Sequence, residues 1–250
     1  MLTIKVITLS ALCLTQHSIA LASPPKLELK YFDARGAAET SRLLLTLAGA
    51  EYKDTRYTIT PGTMAAPAFL AAKESNELDM NLSRAPVLVV DDEVTIGQSR
   101  TIERFLARTL GLMGDSEVEA SLVDCITEHC RDVKDAQMKK GFSFFTRDKT
   151  EEEKATAREE WFSEDMPTML GKIEKVLQQT SGATGYAVGK QTSYADAVIF
   201  SLLGDGMGAD DNTSSLKAAE KCEQLTAIVN RISTDERVSK WLQNRPVTKF

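Results

Sequence analysis

The sequence predicts an α/β domain on a mixed four-stranded sheet, followed by an all-helical domain. Two observations carry this. Over residues 26 to 112 the hydrophobic period alternates between two and 3.6, in the order β-α-β-α-β-β-α. Beyond residue 116 only the helical period recurs, at roughly 116–145, 151–180, 193–204, 215–233 and 235–243.

The first strand is "KLELKYF" (26–32), with Leu27, Leu29 and Tyr31 on one face. A helix over 37–48 turns Leu43, Leu44 and Leu47 inward and ends at Gly49, a natural C′ residue. "YKDTRYTI" (52–59) reads as the second strand and "TPGT" (60–63) breaks it. A polar, irregular stretch with a short helix around Phe69 follows. "PVLVV" (86–90) is the third strand. Pro86 is tolerated at its first position, where the ladder does not need the missing N–H. Asp91-Asp92-Glu93 turn the chain into "VTIG" (94–97), and "QSRTIERFLARTLGL" (98–112) is a helix with Ile102, Phe105, Leu106 and Leu110 on one stripe. The joint at 113–116 is short, so domains at 26–112 and 116–250 should pack closely.

The 250 residues are 42% hydrophobic, enough for a sizeable core. The net charge is −6 with no basic block, which disfavours a nucleic-acid partner. Residues 1–22 combine Lys5, the apolar run 6–14 and Ala20-Leu21-Ala22, the layout of a secretory signal peptide. That points to the secretory pathway, with the cytoplasm as the alternative. The run is too short to span a bilayer, and no later stretch is long and apolar enough, so no membrane span is expected in the mature chain. Two sequons, at Asn81 and Asn212, matter only on the secretory route.

Removing such a leader takes away Cys13 and His17. Three cysteines and His129 remain, which is neither a disulfide framework nor a His-rich metal centre. Cys125 and His129 share a helix face, but Cys130 points about 100° away and Cys222 is remote. Buried structural cysteines and no metal are expected. A Ser-His-Asp triad lacks its G-x-S-x-G elbow. "GDGMGADDN" (204–212) lacks the calcium-loop pattern and reads as a loop. Ser193 and Asp196 form a capping box on a helix apolar on nearly all sides, which suits burial.

Three places carry candidate chemistry. Tyr31 ends an alternating strand, and two readings stand: the last core aromatic, or an exposed hydroxyl aimed at a substrate. Gln98 and Ser99 begin a helix, whose free N–H groups and dipole suit a carboxylate or phosphate. Ser99 serves equally well as a simple N-cap. A cis bond before Pro86 would expose neighbouring backbone groups to an extended peptide, but sequence does not set the isomer.

Together "YFDARGAAET-R-LL", "APVLVVDDE", "IGQSRTIERFLAR-LGLMG", "SYAD" and the tail "VSKWLQNRPVTKF" resemble the glutathione S-transferases, and within them the sigma class. The resemblance covers about residues 26–250 and is weakest over 60–83. It implies a thioredoxin-like N-terminal domain, an all-helical C-terminal domain, a homodimer, and glutathione as co-substrate beside a small hydrophobic electrophile. Tyr31 matches the catalytic tyrosine and Arg35 the arginine that supports it. Gln98 and Ser99 match the pair holding the γ-glutamyl end. Pro86 matches the cis-proline, and Ala85 the residue whose backbone pairs with the cysteinyl part. Arg84 falls where a residue contacts the glycyl carboxylate, and Asp132 matches an acid reaching across the dimer. Two departures stand out: residues 60–83 hold no tryptophan, and Ser83 replaces a glycine.

The chemistry fits those roles. A free thiol has a pKa of about 8.5, and a phenol donating a hydrogen bond to sulfur stabilises the thiolate. The expected activity is therefore glutathione transfer. An isomerase or peroxidase of the same fold, and a non-enzymatic glutathione-binding or crystallin-like protein, are the alternatives.

Overall fold

Alternation in β1 (Leu27–Phe32) sends Leu27 and Leu29 into one core and Phe32 into another. The structure, a computed structural model, describes residues 24–143, 146–181, 184–205 and 209–248. The expected leader, with Cys13 and His17, lies outside the described residues.

The sheet order is β2-β1-β3-β4. β1 and β2 (Lys53–Tyr57) are parallel, and such a pair needs a crossover. That crossover is a 3₁₀ turn (Gly36–Ala38) followed by α1 (Glu39–Ala48). Gly49, at φ +64°, closes α1 by donating its N–H to the Thr46 carbonyl. β3 (Val87–Val90) pairs antiparallel with β1 and forms a hairpin with β4 (Val94–Gly97). Asp91 and Asp92 both take positive φ, and the Glu93 N–H closes the turn on the Val90 carbonyl at 3.1 Å. This is the turn geometry that matches strand twist.

One sheet face packs on α1 and α3 (Ser99–Thr109) through Leu29, Leu43, Leu44, Leu88, Ile102 and Leu106. The other carries a small second core of Tyr57, Ala72, Leu78 and Val87. There Phe69, from α2 (Pro67–Glu74), sits 4.8 Å from the Phe32 ring and 5.8 Å from Tyr57. The irregular stretch 60–83 is thus pinned by aromatics rather than by a tryptophan. A further 3₁₀ turn, Asp79–Asn81, is too short to leave a periodic trace in the sequence.

The helical part comprises α4 (Glu117–Lys140), α5 (Glu151–Glu160), α6 (Met166–Thr180), α7 (Tyr194–Leu203), α8 (Ala209–Ala218), α9 (Glu223–Thr234) and α10 (Glu236–Asn244). The helix expected over 151–180 is interrupted by a π turn, Trp161–Asp165, that buries Trp161. The helix expected over 215–233 is two helices. The Glu174 carboxylate of α6 accepts the N–H groups of Gln224 and Leu225 at 2.8 and 3.1 Å and so starts α9 afresh. A cap supplied from another helix has no local signal. The loop expected over 204–212 gives way to α8 from Ala209; residues 206–208 lie outside the described residues.

Cys130 and Cys222 are buried, and burial pushes the Cys130 thiol up to about 12. Cys125 is a correction: it is exposed on α4, with its sulfur 3.4 Å from His129 Nε2. Its phase on α4 puts it outside the seam that buries Val123, Ile126 and Cys130. Among the described residues no three His, Cys, Asp or Glu side chains are grouped to hold a metal, and no helix is long and apolar enough to cross a membrane.

Every residue of α7 is buried, so its first N–H groups cannot use water. Fully buried Asp196 accepts from the Ser193 N–H (2.9 Å), the Ser193 hydroxyl (2.6 Å) and the Ala187 N–H (3.0 Å). Burial raises the Asp196 pKa, against the pull of these bonds. α7 also ties the two halves together. The Tyr194 N–H donates to the Leu112 carbonyl at 2.8 Å and its hydroxyl to Glu103 at 2.5 Å. Asp196→Ala strands three buried donors, so unfolding free energy should fall by about 3 kcal/mol or more. Urea denaturation measures this, and a loss under about 1 kcal/mol would show that the cap is dispensable.

Candidate functional site

Strand register assembles the candidate residues. Lys30 lies opposite Val87, so Tyr31 comes next opposite Pro86. Val87 lies opposite Gly97, so Pro86 is followed across the hairpin by Gln98. Three residues far apart in sequence therefore stand in a row at one end of the sheet. Two strand spacings separate the outer pair, about 10 Å.

Tyr31 is half-buried, with its ring edge-on to Phe32 at 5.3 Å. Its hydroxyl oxygen accepts the Ala37 N–H at 3.1 Å. An accepted bond polarises the phenol, and its own hydrogen remains to be donated. Gly36 makes this approach feasible. It sits at φ +41°, and a Cβ there would come within 2.5 Å of the Tyr31 oxygen. The ring packs on the core while the hydroxyl is anchored at the turn.

Beneath the ring lies an arginine that the sequence reading overlooked. Fully buried Arg42 has its guanidinium 6.0 Å from the Tyr31 centroid. It donates to the Ala34 carbonyl (2.7 Å), to Glu39 (3.0 Å) and to Asp54 (3.1 Å). The available signal was an arginine directly before the Leu43-Leu44-Leu45 run, three residues after Glu39. Arg35 turns toward the helical part and pairs with Asp205 at 3.4 Å. Arg245, beyond α10, holds Asp205 at 2.6 Å and Glu39 at 2.7 Å, which closes a chain of ion pairs between the two halves.

The Ala85–Pro86 bond is cis, and Pro86 is buried. Gln98, and not Ser99, is the N-cap of α3; Ser99 is the first helical residue. Gln98 takes φ +66° and ψ 114°, and no side chain caps the helix. The reason for the shift is tertiary. The Gln98 N–H donates to Asn81 Oδ1 at 3.1 Å, which holds the residue out of the helix. Asn81 was met in the sequence only as a sequon. It is 4% exposed and donates its amide to the Pro86 carbonyl at 2.9 Å, so the folded chain leaves no room for a glycan there.

Ser83, which stands where a glycine was expected, has φ +58°. The backbone keeps a glycine-like conformation with a side chain imposed on it. Arg84 is exposed and its Nε reaches the Asn81 carbonyl at 3.3 Å. Asp132 is exposed on α4 and forms no hydrogen bond or ion pair with the described residues; within one chain it is not drawn into the row. Lys134, two residues on and half-buried, has its pKa lowered by burial and by Arg100.

Known proteins align with this arrangement over most of its length. The family model "Glutathione S-transferase, N-terminal domain" matches residues 27–108, and "Glutathione S-transferase, C-terminal domain" matches 135–245. S-crystallin 4 of Enteroctopus dofleini is 29% identical over 90% of this chain and its own full length. Hematopoietic prostaglandin D synthase of Gallus gallus is 28% identical over 90% of this chain and 98% of its own. The solved glutathione S-transferase of Ascaris lumbricoides superposes with a TM-score of 0.69 at 25% identity, covering 90% of this chain and 100% of its own.

Two substitutions probe the frame. Arg42→Met leaves the Ala34 carbonyl and one carboxylate oxygen of buried Glu39 without their donor, the other oxygen keeping Arg245, and should cost about 3–5 kcal/mol in unfolding free energy. Arg42→Lys should recover little, because one ammonium cannot serve three divergent acceptors. Ser83→Gly should instead stabilise the chain by about 1 kcal/mol, by relieving a left-handed non-glycine residue. Chemical denaturation of the variants beside wild type checks both.

Proposed function

Because this chain belongs to the glutathione S-transferase family, we propose that it binds glutathione along the Tyr31–Pro86–Gln98 row and transfers it to a small hydrophobic electrophile. The row itself is the observation that supports this. Three extended residues reach about 10 Å, the span between its outer members. The N-terminus of α3, with Gln98 and Ser99, takes the γ-glutamyl carboxylate. Ala85, beside the buried proline, offers its backbone to the cysteinyl part, and Arg84 attracts the glycyl carboxylate. Asp132, exposed on α4, completes the site of a partner subunit in a homodimer.

Tyr31 then meets the sulfur. Its hydroxyl donates a hydrogen bond to the thiolate, while the Ala37 N–H keeps that hydroxyl in place. The thiol proton leaves to solvent. A carbon–sulfur bond forms at the electrophile, and the electron pair departs with the leaving group or into a conjugated acceptor. Arg35 acts through position, held by Asp205 at the edge of the helical half.

A second reading, glutathione binding without turnover, is favoured by the likeness to S-crystallin 4. A chlorodinitrobenzene-type assay and glutathione calorimetry separate the two. Transfer predicts turnover well above the solvent rate. Tyr31→Phe should lower kcat by about a hundredfold with little change in glutathione affinity. Removing the donor should also move the acid limb of the kcat/KM profile to higher pH, since the thiol then ionises nearer its ordinary value. Binding without turnover selects the second reading, and the absence of binding removes both.

A further inference from the structure

We infer that Asn81 is the positioning residue that sets the glutathione cradle, a role that rests on the glutathione-binding reading above. Its side chain spans the two segments that the ligand must touch together. The amide nitrogen donates to the Pro86 carbonyl at 2.9 Å, on the entry to β3. The amide oxygen accepts the Gln98 N–H at 3.1 Å, on the exit from β4. Its backbone carbonyl accepts from Arg84 as well, at 3.1 Å from the main-chain N–H and 3.3 Å from Nε. One residue thus joins the segments proposed to meet the cysteinyl, γ-glutamyl and glycyl parts.

The geometry requires this kind of brace. Gln98 combines positive φ with an extended ψ, a region that a residue with a side chain occupies only when its surroundings hold it there. Its own side chain is exposed, so the hold on the backbone comes through the N–H. Released, Gln98 relaxes toward an ordinary conformation, and the first turn of α3 loses its aim. The space around Asn81 is equally specific. Residue 97 must be glycine, because a Cβ there would fall 2.4 Å from the Met80 carbonyl oxygen and 2.9 Å from Asn81 Cβ. The 79–81 turn is therefore pressed onto the end of β4, with the amide as the polar contact across the join. Only a neutral group with one donor and one acceptor satisfies both partners. A carboxylate keeps the bond to Gln98 but turns an anionic oxygen toward the Pro86 carbonyl.

The test uses two variants of the full chain. Asn81→Ala should raise the glutathione Kd and KM by about tenfold or more, with kcat at saturating glutathione within about threefold of wild type and the electrophile KM unchanged. Asn81→Asp adds a readout that loss of packing would not produce. The protonated acid again carries a donor and an acceptor, so its glutathione Kd should approach the wild-type value near pH 5.5 and weaken about tenfold by pH 8, while wild type changes little. Circular dichroism and melting curves establish that each variant is folded; if Asn81→Ala is not, the Asn81→Asp titration decides alone. Wild-type affinity in the folded variants overturns the positioning role while leaving the glutathione reading intact. A kcat that falls as far as 1/KM also overturns it, by making Asn81 part of the chemical step. Absence of glutathione binding in wild type overturns both.

Discussion

The pairing of β3 between β1 and β4 is the constraint on which the rest depends. Side chains alternate along a strand, so a one-residue slip of β3 would send Leu88 from the main core to the far face and bring Val87 in its place. The same slip would set Tyr31 beside a different residue and break up the row. The core thus enforces the geometry of the site: burying Leu29 against Leu88 places Tyr31 beside Pro86 two residues later. The positive-φ turn at Asp91–Asp92 and the small second core around Phe69 reinforce the same register from the two ends of the hairpin.

A second layer of order is ionic. Arg42, Glu39, Arg245, Asp205 and Arg35 run from beneath Tyr31 to the far end of the chain. Buried ion pairs contribute little net stability over apolar packing, since desolvation offsets attraction. What they add is geometry. Arg42 has donors in three directions, and each acceptor comes from a different segment: the turn after β1, α1 and β2. The turn carrying Gly36 and Ala37, which grips the phenol, is itself fixed by this guanidinium. Arg245 links the same α1 to Asp205, so the helical half cannot shift without disturbing the support of Arg35.

Much of this was legible in the sequence, for identifiable reasons. The strands and the helices of the sheet half followed from periodicity, because successive strand side chains face opposite sides of the sheet and the helices turn an apolar stripe onto it. The Ser193–Asp196 cap was readable because both partners lie within one turn of helix. Tyr31, Pro86, Gln98 and Ser99 were singled out by type and by position at element ends. What stayed hidden was supplied from a distance. The start of α9 depends on Glu174 in another helix, so 215–233 looked unbroken. Ser99 looked like an N-cap because the hold on Gln98 comes from Asn81 across the hairpin. Arg42 looked like one more helix residue until Asp54 arrived from β2.

The segment 78–84 shows how such distant support changes the meaning of local departures. Ser83 in place of glycine would by itself suggest a different backbone, yet Leu82 and Ser83 both adopt positive φ. Non-glycine residues hold such angles only under constraint. The constraints are present: the Ser83 N–H bonds to the Leu78 carbonyl at 3.0 Å, the Arg84 N–H to the Asn81 carbonyl at 3.1 Å, and Leu78 is fully buried in the second core. The shape of the loop is therefore imposed by its anchors, Leu78 below and the Asn81 amide above. A sequence comparison at position 83 alone would miss this, because the conformational freedom that glycine usually supplies has been replaced by packing and hydrogen bonds at its neighbours.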